Sequence, residues 1–128
     1  INDAIDNLIE TIQPSGIILG GDLNLVGSDA PLKLLTTGRD LKKTNLQIAE
    51  AMQLDQRSWT TWSDTDSAFT PGRLDWIIYS SSTLQQSGSF VFDTLDLSPT
   101  SLERHRLHAT DTAEISDHLP LVLDAQLR

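Results

Sequence analysis

Cysteine is absent from all 128 residues, which excludes a disulfide framework and any thiolate metal site. Cations are scarce: nine Lys and Arg stand against 18 Asp and Glu, leaving a net charge of −9, and no basic cluster is longer than Lys42-Lys43. Affinity for nucleic acid rests largely on cations that displace counterions from phosphates, so such a surface disfavours tight, non-specific binding of a polyanion. No apolar run approaches the length of a bilayer span. The opening Ile1-Asn2-Asp3-Ala4 lacks the basic start and apolar centre of a secretory signal. It also lacks an initiating Met, which agrees with a trimmed or partial polypeptide. The compartment stays open.

What is present suits one domain, since 128 residues with 38% hydrophobic content are enough to build a core. Ile1, Ile5, Leu8, Ile9 and Ile12 recur at helical spacing with polar residues between them, which predicts an amphipathic helix. Pro14-Ser15-Gly16 stops it, and Ile17-Ile18-Leu19 then reads as a strand running into Gly20-Gly21-Asp22. Asp29 ahead of Pro31 starts a short helix over Leu32, Leu34 and Leu35, closed by Gly38. Residues 46–54 read either as a helix or as an irregular stretch, followed by a strand at Ser58-Trp59-Thr60-Thr61-Trp62. Arg73 to Ser80 is a strand, Phe90-Val91-Phe92 is another after a polar turn over residues 80–89, and Leu119 to Leu127 is the last. Ser98-Pro99 opens a short helix, with Thr100 and Glu103 as an alternative capping box; a polar loop then leads to Ser116. The apolar runs in the strands demand a sheet covered on both faces, and these helices cover about one. The expected architecture is α/β: a mixed, largely antiparallel sheet with helices on one face, the other face needing a second sheet or a neighbouring molecule.

Three short segments carry chemistry. In Gly20-Gly21-Asp22-Leu23-Asn24, residues two apart on a strand share a face, so Asp22 and Asn24 present a carboxylate and an amide to one spot; the plainer reading is an Asx turn ending a strand. In Gly72-Arg73-Leu74-Asp75-Trp76 the carboxylate lies between apolar neighbours and needs a partner, either Arg73 or a backbone amide, or a histidine from elsewhere. In Ser116-Asp117-His118-Leu119-Pro120 an imidazole beside a carboxylate suits a general acid or phosphate ligand next to a metal-binding Asp, against a simple turn before a strand. His105 and His108 read as solvent-exposed. A Ser-His-Asp hydrolase on Ser116 and His118 lacks a Gly-x-Ser-x-Gly elbow, and nothing marks Asp22 and Asp75 as a glycosidase pair.

In that order GGDLN, GRLDWIIYS and SDHLPLV resemble the C-terminal signature of the endonuclease/exonuclease/phosphatase family, the deoxyribonuclease-I-like fold, and Trp59-Thr60-Thr61-Trp62 resembles its aromatic-Thr-Trp stretch. The resemblance implies that residues 1–128 are the C-terminal half of such a domain, half of a four-layer α/β/β/α sandwich. It implies metal-dependent hydrolysis of a phosphate ester. Asp22 would orient or deprotonate the attacking water, Asn24 would hold phosphate oxygens, His118 would bind or protonate the phosphoryl group, Asp75 would fix the imidazole, and Asp117 would face Mg2+ or Mn2+. The family's substrates include DNA, RNA, sphingomyelin, inositol phosphates and small phosphomonoesters, so the partners implied are a phosphate ester, nucleic acid among the candidates, and either the N-terminal half or a second copy on the bare sheet face. The Asn, Glu and frequent His that the family's first half supplies have no counterpart here, because Glu10 lies on the polar side of a helix. The isolated chain is therefore expected to be nearly inactive; the competing reading is a non-catalytic interaction module that keeps the fold.

Overall fold

A computed structural model describes residues 2–128, so Ile1 of the first apolar stripe lies outside the described residues. Among them the elements run α1 (Asn2–Ile12), β1 (Ile18–Asp22), α2 (Ala30–Thr36), β2 (Gln47–Ile48), β3 (Met52–Gln53), β4 (Asp75–Tyr79), β5 (Leu84–Val91), a 3-10 turn (Thr94–Asp96), α3 (Pro99–His105), α4 (Asp111–Ile115) and β6 (Leu121–Leu127). The strands form two three-stranded sets, β1-β4-β2 and β3-β5-β6. All pairs are antiparallel except β3 with β5. The fold is α/β, as expected, with its strands divided between two ladders. Trp62 lies between them, its backbone bridging Gly72 just ahead of β4 on one side and His118 just ahead of β6 on the other.

β4 is the spine, and its alternation explains why its run is apolar throughout. Ile78 and Trp76 face a core of Ile17, Leu32 and Leu46, with Ile9 of α1 and Leu35 of α2 packed against it. On the other side Ile77 and Tyr79 meet Ala49, Leu84 and Leu123 of the second set. Both faces are thus covered, one by helices and one by strands. The edge strand β1 is different: Ile17 is buried, while Ile18 stands 57% exposed. Leu8 and Ile12 of α1 are exposed as well, so an apolar surface runs along this edge.

Several local expectations change in the folded chain. Residues 46–54 form two short strands rather than a helix, because both lie against long partners, β4 and β5. The stretch at 58–62 is a strand only at Trp62. β5 begins at Leu84, well before Phe90; its polar residues are recruited by the ladder with β6, the kind of context that overrides strand propensity. The polar loop before Ser116 contains α4, which is tied to the 3-10 turn by hydrogen bonds between Thr94 and Thr112, both buried. Ser98, not Thr100, caps α3, accepting from the Ser101 amide.

Asp40 locks the loop after α2 to the turn after β4. It is 2% exposed, and its carboxylate accepts from the Ser82 amide at 3.0 Å and from the Ser82 hydroxyl. Burial pushes its pKa up, but those two bonds and the Leu41 and Lys42 amides outweigh burial and hold it below the usual 3.8. A depressed folded-state value means stability that is present above pH 3.8 and lost as pH falls through the folded value. Asp40→Ala should therefore lower unfolding free energy by about 1–3 kcal/mol at neutral pH. Urea titrations of both proteins should show that gap shrinking below pH 3.8.

Candidate active site

The candidate residues are brought together by the ends of β1 and β4 and the approach to β6. β1 and β4 run antiparallel in a register that sets Asp22 directly opposite Asp75. Directly opposed residues share a face. Gly21 holds φ at +154°, a conformation that side-chain-bearing residues rarely adopt. Beyond the strand the Leu23 amide donates to the Leu74 carbonyl at 3.0 Å. The Asp22 carboxylate accepts from the Asn24 amide at 2.8 Å, and Asn24 turns into the left-handed region at φ 49°. The backbone here is the Asx turn. Strand alternation therefore does not align Asp22 with Asn24, yet both line one cleft of about 500 Å³ together with His118.

Asp75 finds a histidine. Its Oδ2 lies 2.8 Å from His118 Nδ1, with the side chains 19% and 30% exposed. A carboxylate can only accept, so Nδ1 carries the proton and Nε2 is left for other work. Arg73 is engaged elsewhere: it donates to the Ala49 carbonyl at 2.9 Å, and its guanidinium stacks 4.1 Å from the Trp76 ring centroid.

The hydrogen bond from Asp75 is the largest influence on His118; burial opposes it, and the charges of Asp75, Asp117 and Asp22 reinforce it, so the imidazole pKa lies above 6.5.

Asp117 is positioned by a residue the sequence reading assigned no role. Trp62 Nε1 donates to Asp117 Oδ2 at 2.8 Å, and this bond is the main reason that the carboxyl titrates below 3.8. The neighbouring Thr61 is fully buried. Its hydroxyl accepts from the Leu74 and Asp75 amides, each at 3.0 Å, while its carbonyl accepts from the Leu119 amide at 2.7 Å. One side chain and its own backbone thus join the second segment to the third. A signal existed: a Thr lying among aromatic residues ahead of a buried strand must satisfy its hydroxyl internally.

Asp22 and Asp117 offer hard oxygen donors of the kind Mg2+ takes. Each already spends an oxygen on an internal hydrogen bond, and among the described residues no three His, Asp or Glu side chains converge as ligands. The set fits a divalent ion in kind and falls short in number. His105 and His108 are exposed and stand outside this site.

A model of the endonuclease/exonuclease/phosphatase family matches residues 3–118. The chain belongs to that family. Its members are, in general, hydrolases of phosphate esters and typically depend on a divalent metal. No curated protein and no solved structure gives a significant match. The family match spans the first two segments and the Thr61–Ser63 piece, and runs into the third as far as His118.

Because the folded-state pKa of His118 is raised, the Asp75 pair stabilises the chain fully below pH 6.5 and less as pH rises through the folded value. In metal-free protein the His118 ring proton should titrate above 6.5 by NMR, and Asp75→Asn should bring the midpoint down. A midpoint indifferent to that substitution would disprove the pairing. Thr61→Val keeps the shape and removes the acceptor for two buried amides; chemical denaturation should show a loss of about 1–3 kcal/mol.

Proposed function

We propose that this protein takes part in the metal-dependent hydrolysis of a phosphate ester and supplies the C-terminal portion of the active site. The observation that carries the reading is the Asp75–His118 pair, 2.8 Å apart, whose imidazole lines the same cleft as Asp22 and Asn24. An imidazole whose pKa a carboxylate raises is suited, when protonated, to bind a phosphoryl oxygen and to stabilise the charge that develops on it. His118 does this through Nε2, with Asp75 holding Nδ1 and orienting the ring. Asp22 orients or deprotonates the attacking water, and Asn24 holds a phosphoryl oxygen through its amide.

A divalent cation, Mg2+ or Mn2+, would supply positive charge that a chain of net charge −9 lacks, and Asp117 is its donor from this chain. The remaining ligands belong, on this reading, to the N-terminal half of the domain or to a second copy. The apolar edge along Ile18, Leu8 and Ile12 is the surface they would cover. The same edge is what favours the second reading, a non-catalytic module held against a partner.

Hydrolysis of p-nitrophenyl phosphate and of its bis-ester separates the two. With the completing half present, turnover should require Mg2+ or Mn2+ and vanish in EDTA. Asp22→Ala and His118→Ala should each cost at least about 100-fold in kcat, and the chain alone should stay near background. Turnover that survives EDTA, or that both substitutions leave intact, would remove the enzymatic reading.

A further inference from the structure

The cleft beside His118 is not uniformly polar. Its lining combines Asp22 and His118 with Val26, Phe69 and Leu74, and the described residues bring no Lys or Arg to it. Val26 and Phe69 are 77% and 74% exposed, two apolar side chains left in water at the edge of a charged centre. Each comes from a segment whose base is fixed by the site. Val26 follows the Asx turn at Asp22. Leu74 is held by the Thr61 hydroxyl. Phe69 lies on the loop between Trp62 and Gly72, which is pinned by the backbone bonds between those two residues. Within that loop Asp64 accepts from the Asp66 and Ser67 backbone, and Ser67 accepts from the Phe69 amide at 3.1 Å.

We infer that Val26, Phe69 and Leu74 form an apolar subsite that seats a flat apolar group esterified to the phosphate, and that affinity comes from burying this group rather than from cations reading further phosphates. The inference rests on the phosphoester reading of the same cleft and adds the substrate class. A recogniser of a polyanion places Lys and Arg along the track of the phosphates; here the lining has none. Exposed apolar surface that continues directly from a polar centre is the arrangement of a small-molecule site, in which apolar walls give affinity and a few polar groups fix orientation.

The test uses the chain together with its completing half and Mg2+, and follows the His118 ring and Trp62 indole signals by NMR during titration with phenyl phosphate and with methyl phosphate. Both should move His118, and phenyl phosphate should bind about tenfold more tightly, the scale expected for burying a ring. Phe69→Ser combined with Val26→Ser should remove the advantage so that the two probes bind alike, with the dispersed spectrum reporting an intact fold. If methyl phosphate moves His118 but phenyl phosphate binds no better, the subsite is wrong while the phosphoester reading stands. An advantage that survives both substitutions also overturns it, because the ring then binds elsewhere. If neither phosphate moves His118, the phosphoester reading fails and takes the subsite with it.

Discussion

Thr61 is the point on which the site's geometry depends. β1 and β4 are joined by a regular ladder, but the approach to β6 belongs to the other set of strands, and no ladder sets the distance from Asp75 to His118. That distance is set by one residue. The Thr61 hydroxyl takes the amides at the head of β4, and its carbonyl takes the Leu119 amide just past the histidine. The next residue, Trp62, bridges Gly72 and His118 through its backbone and binds Asp117 through its indole. Buried polar atoms are costly unless paired, so once Thr61 is enclosed its neighbours have little freedom to slide. A carboxylate–imidazole bond of 2.8 Å between residues 43 apart in sequence is maintained by that enclosure.

The arrangement explains why the chemistry sits at the rim of the sheets. β4 is apolar on both sides and buried from Ile78 onward, and only its first residue, Asp75, is polar. The charge is thus held at the end of a rigid element where one side is still wet, with 19% of the side chain exposed. Deeper in the strand it would have no partner; further out, it would lose the solvent exclusion that strengthens its bond to His118.

Much of this was legible in the sequence, for identifiable reasons. β1, β4 and the last strand are short apolar runs bounded by Gly, Pro, Ser and Asp, and α1 has an unambiguous helical stripe, so local pattern and tertiary role agree. The candidate residues were legible because each sits where such a run begins or ends. What could not be read was whatever depends on a distant partner. The polar start of β5 is a strand only because β6 lies beside it, and α4 is held by the Thr94–Thr112 contact rather than by an apolar stripe. The bridging of Gly72 and His118 by Trp62 is announced by no periodicity. For Thr61 the sequence signalled a hydroxyl that must be satisfied internally, but not which amides it meets. Arg73 shows the converse. Two residues ahead of Asp75 in sequence, it is engaged instead by the Ala49 carbonyl and the Trp76 ring, while Asp75 takes His118.

An acidic chain proposed to act on an anion needs an explanation for its charge. At this site the acids favour one positive group. The hydrogen bond from Asp75, and the charges of Asp75, Asp117 and Asp22, raise the His118 pKa against the effect of burial. Their summed charge remains negative, which leaves the site unable to attract a phosphate by its own field at long range. Two contributions remain to overcome that repulsion. One is a divalent cation, for which Asp117 is the proposed donor from this chain. The other is apolar burial, which is indifferent to the sign of the surrounding charge. Phe69, Val26 and Leu74, lining the cleft with the imidazole, offer apolar surface that draws in a ligand without requiring a cation. An acidic surface and an apolar cleft are therefore compatible, because the acids repel extended polyanions and leave a compact ester with an apolar substituent as the ligand with most to gain.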